Sequence, residues 1–468
     1  MIYNKITPSI VEKLRQIVGE TYVMFDSESL ADYGHDETEK FLFLPEVVVK
    51  PRTADEIGEI LIIANKELIP VTPRGAGTGL SGGALPVYGG ILLSMERFNE
   101  ILDIDERNLQ ATVEPGVINE VFQNAVIEKG LFYPPDPASK GSCFIGGNVA
   151  ESAGGPKCVK YGTTKDYILN LEVVLPTGEI IYTGANTLKN STGYNLTQLI
   201  VGSEGTLGIV TKIIVRLLPY PKYNLMILVP FRSLDEACDA VSEVFRAGFT
   251  PSAMELMERD ALDCVIRYVE SSVVKLENDI HAHLLIELDG NDLEVLMKEI
   301  ESISGLLDKY DIGEILFADT EAQKQELWKL RRKINEAVKA TSISKEQDTV
   351  VPRAELPKLV KGVKQIGETY NFKTICYGHA GDGNLHIRLL KGELTDEQWE
   401  GQYIKNAIAE IFILCHELRG TISGEHGIGL IQQEYMGIVF SEKALALQKG
   451  IKQVFDPKKI LNPGKMFG

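Results

Sequence analysis

Three of the seven histidines fall inside two glycine-rich motifs, Gly378-His-Ala-Gly-Asp-Gly-Asn-Leu-His-Ile387 and Ser423-Gly-Glu-His-Gly-Ile-Gly429. Two imidazoles and one carboxylate form a facial set that holds a divalent cation and leaves positions open for substrate. Asn384-Leu-His-Ile-Arg-Leu389 reads as a strand, so alternation places Leu385, Ile387 and Leu389 on one face and His386 with Arg388 on the other. His386 therefore faces away from the aliphatic side. Glu425 and His426 are neighbours; in extended backbone they point apart and suit different roles. Asp382 fits a turn or a supporting position rather than a ligand. The plainer reading is a pair of satisfied turn histidines, and the concentration of three in two short motifs argues against it. Trp328-Lys-Leu-Arg-Arg-Lys333 supplies cations on a predicted helix, as a substrate carboxylate requires. Arg332 lies about 100° round that helix from Arg331 and reads as solvated, while Asn335 stands one turn from Arg331 and shares its side.

A second constellation is made of glycine, about half of whose 43 copies lie between Gly75 and Gly208. Pro73-Arg-Gly-Ala-Gly-Thr-Gly-Leu-Ser-Gly-Gly83 matches the dinucleotide fingerprint literally at Gly77, Gly79 and Gly82. A Rossmann loop must open a helix, and Gly83-Ala-Leu-Pro-Val-Tyr-Gly-Gly90 holds too much proline and glycine to be one. What remains is a side-chain-free loop whose N–H groups converge on an anion such as a diphosphate. A second cluster runs from Tyr133 to Ser139 and from Cys143 to Gly155, and a third from Val201 to Thr211. Three such loops in one domain imply one extended ligand of dinucleotide length.

The elements that must carry these loops alternate. Glu46–Lys50 reads as a strand, Thr53 and Glu56 as a capping box, Ile57–Lys66 as its helix, and Ile69–Thr72 as the next strand. Strands follow at Ile91–Met95, Leu109–Val113 and Leu171–Leu175, with a helix over Val117–Glu128, so this part is α/β. After Pro219-Tyr220-Pro221 long amphipathic stretches appear at Ser233–Ala247, Asp292–Leu307 and Glu321–Ala340, with strand-like runs at Leu225–Val229 and His283–Leu288. That texture predicts an α+β second domain.

Composition closes off other classes. The 468 residues carry a formal charge of −18, which repels a phosphodiester backbone and excludes nucleic acid as a partner. No apolar run approaches the length of a membrane span, and the N-terminus lacks the apolar stretch of a signal peptide, so a cytoplasmic protein is expected. The six cysteines show no CxxC pair and read as reduced thiols, not as zinc or iron–sulfur ligands.

The motifs RGAGTGLSGG, YPPDPAS, GGNVAESAGGPKCVKYG and GSEGTLGIVT resemble the FAD-binding domain of the vanillyl-alcohol-oxidase (PCMH-type) flavoproteins. From about residue 40 to the C-terminus the chain resembles the branch containing the GlcD component of glycolate oxidase, D-lactate dehydrogenases and D-2-hydroxyglutarate dehydrogenases. The resemblance implies an α+β chain: a PCMH-type FAD-binding domain of two α/β subdomains over residues 1–220, and a substrate or cap domain with an antiparallel sheet flanked by helices over 221–410. A C-terminal helical segment, 411–468, is expected to return to the FAD domain and complete the active site.

It also implies pyrophosphate contacts from Arg74, Gly75, Ala76, Gly77, Thr78 and Gly79, and flavin or ribityl contacts from Pro135, Asp136, Gly146, Gly147, Asn148 and Ser152. Adenine-side contacts are implied for Glu204, Gly208, Ile209 and Val210, with Gly82, Gly155, Gly162 and Asn462 counted among the cofactor residues. Some superfamily members attach flavin through a histidine in the first loop; Thr78 stands at the centre of this one, so FAD is expected to bind noncovalently. His379, His386 and Glu425 match the family's ligands to one divalent metal (zinc, iron or manganese), His426 its catalytic base, and Arg331 its carboxylate-binding arginine. Asn335, Lys345 and Arg388 complete the expected substrate set. Ser344–Asp348 departs from the family pattern around its lysine, and Arg388 departs from the asparagine of the hydroxyglutarate branch, which points to a role in choosing the acid.

The implied reaction is oxidation of a D-2-hydroxy acid, D-lactate first, to the 2-keto acid, pyruvate, with hydride passing to flavin N5. An electron-transfer flavoprotein is the expected acceptor. The alternatives are a glycolate or D-2-hydroxyglutarate dehydrogenase using a quinone or iron–sulfur partner, a flavin-carrying accessory protein, which lacks the metal motif, and a non-heme iron oxygenase, which leaves the glycine loops unexplained.

Overall fold

The computed structural model describes residues 3–38, 41–269, 274, 276–318 and 320–467. Two compact units emerge: Met1–Gly154 with Thr163–Tyr220 and Glu425–Gly468, and Gly155–Gly162 with Pro221–Gly424. The first unit's second segment ends at Tyr220 and the second unit's long segment begins at Pro221. The return to the first unit begins at Glu425, not at 411. The reason is the helix Gln402–Glu417, whose buried Ile404, Ile408, Ile411 and Phe412 form a stripe, and which packs on the helix Leu356–Thr369 of the second unit.

In the first unit a four-stranded sheet holds Val47–Val49, Ile91–Ser94 and Val71–Arg74 in parallel, with Val23–Met24 antiparallel at one edge. The helix Ala54–Glu67 opens where Thr53 accepts from Glu56 N. The Glu56 carboxylate turns back one residue further than a capping box would, to Arg52 N. Ile57, Ile60 and Leu61 from this helix, and Ile10, Leu14 and Val18 from the helix Pro8–Val18, bury against the strands together with Ile460 and Leu461. A five-stranded antiparallel sheet follows, ordered Ile101–Asp105, Gln110–Val113, Ile209–Arg216, Ile168–Val174, Ile180–Tyr182.

The second unit is built on seven antiparallel strands, ordered Leu316–Ala318, Tyr223–Phe231, Ala282–Gly290, Ala253–Glu258, Lys373–His379, Asn384–Leu390, Ser344–Val350. One face carries Met226, Leu228, Leu285, Met257 and Tyr377, which bury under Leu327, Leu330 and Ile334 of the helix Glu321–Thr341 and Leu262 and Val265 of Arg259–Val269. Thr320 starts the longer helix with a reciprocal capping box to Gln323. Register and alternation place Glu255, His379, His386, Arg388 and Glu346 on this same face. No helix among the described residues is long and apolar enough to cross a membrane.

Candidate active site

The first glycine loop leaves the strand Val71–Arg74, which the C-terminal segment grips from the other side: Val71 N donates to Ile460 O at 2.8 Å and Asn462 N to Val71 O at 2.7 Å. Arg74 is only 7% exposed, and its Nη1 finds no partner among the described residues. Burial draws the guanidinium below its ordinary pKa, with Asp36, Tyr33 and Glu96 opposing. Gly77 sits at φ +74°, where a Cβ would collide with Arg74 Nη2. The second loop meets the first, since a Cβ on Gly75 would stand 3.8 Å from Gly147 N; the third meets the same strand, with Gly205 packed on Pro73 Cγ at 2.7 Å from its Cβ position. All three loops thus converge.

Side chains at Gly79 and Gly147 would point into open space, meeting nothing within 4 Å. Like Arg74 Nη1, the buried Ser81 Oγ and Asn462 Oδ1 lack partners among the described residues, while Asn462 Nδ2 donates to Gly83 O at 3.0 Å and Glu204 O at 2.8 Å. Cleared space, an unsatisfied guanidinium and unsatisfied polar atoms fit a diphosphate-bearing cofactor. Ala76 and Thr78 share this partly exposed turn, and Gly82 packs on Leu430.

The Pro135 carbonyl is held by Asn119 Nδ2 and Gln123 Nε2, both at 3.0 Å, and Asn148 Nδ2 donates to Asn119 Oδ1 at 3.1 Å, which fixes Pro135, the buried Asp136 and Asn148 together. Ser152, at φ +54°, closes the helix Ile145–Glu151. Several expected cofactor residues face protein instead. Gly146 lies against Pro115 and Gly208 against Val173, where a Cβ on either would overlap its neighbour's side chain, and Ile209 is buried in the first unit's core beside Val210. Only their backbone is available to a ligand. Gly155 and Gly162 bracket a segment of the second unit, anchored by Lys157 on Glu287 at 2.6 Å and Lys160 on Asp289 at 2.5 Å.

Glu204, expected beside adenine, spends both oxygens on the C-terminal segment, accepting from Ile428 N at 2.8 Å and Gly429 N at 2.7 Å. It therefore fixes the turn that follows His426. Burial pushes its carboxyl up to about 7 against the pull of these N–H groups and Lys465. Glu151 is raised well above the usual range by burial and by Glu204. Lys465 is lowered to about 8 by burial.

In the second unit Arg331 is 7% exposed on the helix Glu321–Thr341. Its Nε donates to Glu255 Oε2 at 2.6 Å, its guanidinium lies 5.4 Å from the Tyr377 ring centroid, and its Nη2 has no partner among the described residues. Glu255 Oε1 lies 2.7 Å from His379 Nδ1. Burial alone would raise the Glu255 carboxyl, but His379 and Arg331 outweigh it and hold the group at about 2. The His379 and His386 rings lie 5.6 Å apart, edge to face, and offer nitrogens within 4.8 Å of each other. His386 Nδ1 is 3.3 Å from Glu346 Oε1. With Glu255 accepting at Nδ1, the His379 tautomer carries its lone pair on Nε2, the form that a metal ligand takes.

Arg388 is 1% exposed and bonds Glu346 and Asn335, so its charge is neutralised and Asn335 is joined to it. Lys345 stands apart from Arg388. It pairs in register with Leu389, not Arg388, so alternation turns it to the opposite face, where Nζ lies 3.3 Å from Glu400 and over the Trp399 ring. Gly424 ends the second unit with its N–H donated to Asp348 Oδ2 at 2.8 Å, and Asp348 is the register partner of His386. Glu425 and His426 follow directly and open the last segment of the first unit. Glu255, Glu346 and Tyr377 escape sequence reasoning; Glu255 and Tyr377 are signalled by a polar group in a largely apolar strand, and Glu346, in the polar strand Ser344–Val350, by nothing local.

Comparison with known proteins agrees with this architecture. The model of the FAD binding domain matches residues 45–184, and that of the FAD linked oxidases, C-terminal domain, matches 220–466. The chain is 40% identical to "Glycolate oxidase subunit GlcD" of Bacillus subtilis (strain 168), over 99% of this chain and 97% of that protein. It is 37% identical to "D-lactate dehydrogenase" of Anaerostipes hadrus, over 99% and 98%. The solved structure of p-cresol methylhydroxylase with substrate bound shares the fold, with a TM-score of 0.80 at 19% identity, covering 98% of this chain and 96% of that one. The chain belongs to the vanillyl-alcohol-oxidase/PCMH family of FAD-linked oxidases, among relatives of glycolate oxidase GlcD and D-lactate dehydrogenase.

Proposed function

We propose that the chain oxidises a D-2-hydroxy acid, D-lactate foremost, to the 2-keto acid, and passes the electrons to an electron-transfer flavoprotein in the cytoplasm. The observation that carries the reading is the buried, unsatisfied Nη2 of Arg331, tied through Glu255 to the His379 and His386 pair on one face of the seven-stranded sheet.

Arg331 holds the substrate carboxylate through that free edge of its guanidinium. When bound, noncovalent FAD supplies the hydride acceptor, and a divalent cation on His379, His386 and Glu425 supplies Lewis-acid polarisation of the substrate hydroxyl. His426 takes the hydroxyl proton as the C2 hydride leaves, and Glu204, gripping the N–H groups of Ile428 and Gly429 just beyond it, keeps that imidazole in place. Arg388 is bonded to Glu346 and Lys345 lies on the opposite sheet face, while Arg331 Nη2 is a buried donor with no partner among the described residues. One such donor suits a monocarboxylate better than D-2-hydroxyglutarate, whose second carboxylate would need its own cation. Rapid-mixing measurement of flavin reduction with D-lactate, L-lactate, glycolate and D-2-hydroxyglutarate tests the reading: D-lactate should be fastest, and fastest reduction by the dicarboxylate would overturn the choice of substrate.

A further inference from the structure

We propose that Glu255 is a positioning residue that sets both the anion clamp and a cation-binding imidazole with one carboxylate. The inference rests on the proposed function and deepens it. Glu255 is 0% exposed in the strand Ala253–Glu258, which has a hydrogen-bonded neighbour on each side, so its backbone is rigidly placed. Its two oxygens serve two different elements: Oε2 takes Arg331 Nε from a helix at 2.6 Å, and Oε1 meets His379 Nδ1 at the end of the next strand at 2.7 Å.

Each contact fixes what its partner shows on the far side. Occupying the Nε edge of Arg331 leaves Nη2 as the unsatisfied donor, available to an anion. Occupying Nδ1 of His379 selects the tautomer whose lone pair is on Nε2, the form a metal needs. A purely structural ion pair needs neither arrangement, because well-packed apolar residues stabilise a core equally well. A carboxylate divided between a half-satisfied arginine and an imidazole is instead suited to orienting both.

Glu255→Gln replaces one acceptor by a donor, so it must fail one partner. With its oxygen on Arg331 it drives His379 to the wrong tautomer; with its oxygen on His379 it sets an N–H against Arg331 Nε. The experiment uses the full-length flavoprotein and follows four quantities: FAD content, melting temperature, Zn²⁺ affinity by chelator competition, and KM for D-lactate. Glu255→Gln should keep FAD, and lose Zn²⁺ affinity or raise KM by about tenfold or more, the range seen when a metal ligand's supporting hydrogen bond is removed. Glu255→Asp keeps the charge but cannot span both partners, and should show the same losses even if the Gln variant fails to fold. Unchanged Zn²⁺ affinity and KM in a folded Gln or Asp variant would overturn the inference. If the wild-type protein itself neither binds Zn²⁺ nor is reduced by any 2-hydroxy acid, the proposed function fails instead, and the two failures are thereby told apart.

Discussion

Two nearby glycines in the first loop separate a conformational role from a cofactor-facing one. Gly77→Ala puts a side chain at φ +74°, with its Cβ driven into Arg74 Nη2. The left-handed backbone costs about 1–2 kcal/mol, and the guanidinium must move besides. Gly79→Ala meets no atom within 4 Å and has an ordinary φ, so the apo-protein should change stability by less than about 0.5 kcal/mol. If the open space at Gly79 is where the diphosphate lies, the new methyl displaces it from at least one charge-assisted hydrogen bond, worth about 1.5–3 kcal/mol, or roughly 10- to 100-fold in Kd. Thermal melts of the deflavinated proteins and FAD titration by fluorescence quenching measure the two effects. Gly77→Ala should lower the melting temperature and weaken FAD; Gly79→Ala should weaken FAD alone. FAD binding by Gly79→Ala within about twofold of wild type would refute the placement of the cofactor against this loop.

Other outcomes follow from the same geometry. His426→Ala should keep FAD and lose about 100-fold or more in the rate of flavin reduction, the range of a lost general base, and full turnover would remove His426 from that role. Arg331→Met should raise KM for D-lactate strongly with FAD content unchanged, as read by steady-state kinetics with an artificial acceptor. Glu204, raised from 4.5 to about 7, keeps its proton in the folded state over a range where the unfolded chain has lost it. The folded state therefore binds more protons between about 4.5 and 7, and this group makes stability fall as pH rises through that window, by up to about 3 kcal/mol. Denaturant midpoints at stepped pH should show a less negative slope in Glu204→Gln than in wild type; identical slopes would contradict the shift.

The three glycine loops were legible because such a loop is a dense local signal: each cluster lies within a short stretch of chain, and their convergence on Val71–Arg74 needed only one α/β sheet. The histidine motifs were legible for the same reason, and alternation alone turned His386 and Arg388 to one face. Glu255 was not, since one of the two acids in Ala-Met-Glu-Leu-Met-Glu gains its meaning only from Arg331 and His379, which lie far along the chain. The same holds for Glu346, whose partner Arg388 is set by strand register. The face on which Lys345 stands was not legible, because one residue of register decides it and sequence does not reveal register. The roles read into Gly146 and Gly208 missed that glycine also serves close packing, here on Pro115 and Val173.

The central claim is a cation-assisted hydride transfer to flavin, and anaerobic bleaching of the yellow protein by D-lactate tests it most directly. The protein should bleach at once, lose that response after exhaustive chelation while keeping FAD, and regain it when Zn²⁺, Mn²⁺ or Fe²⁺ is restored. Bleaching that survives complete removal of divalent metal would contradict the account.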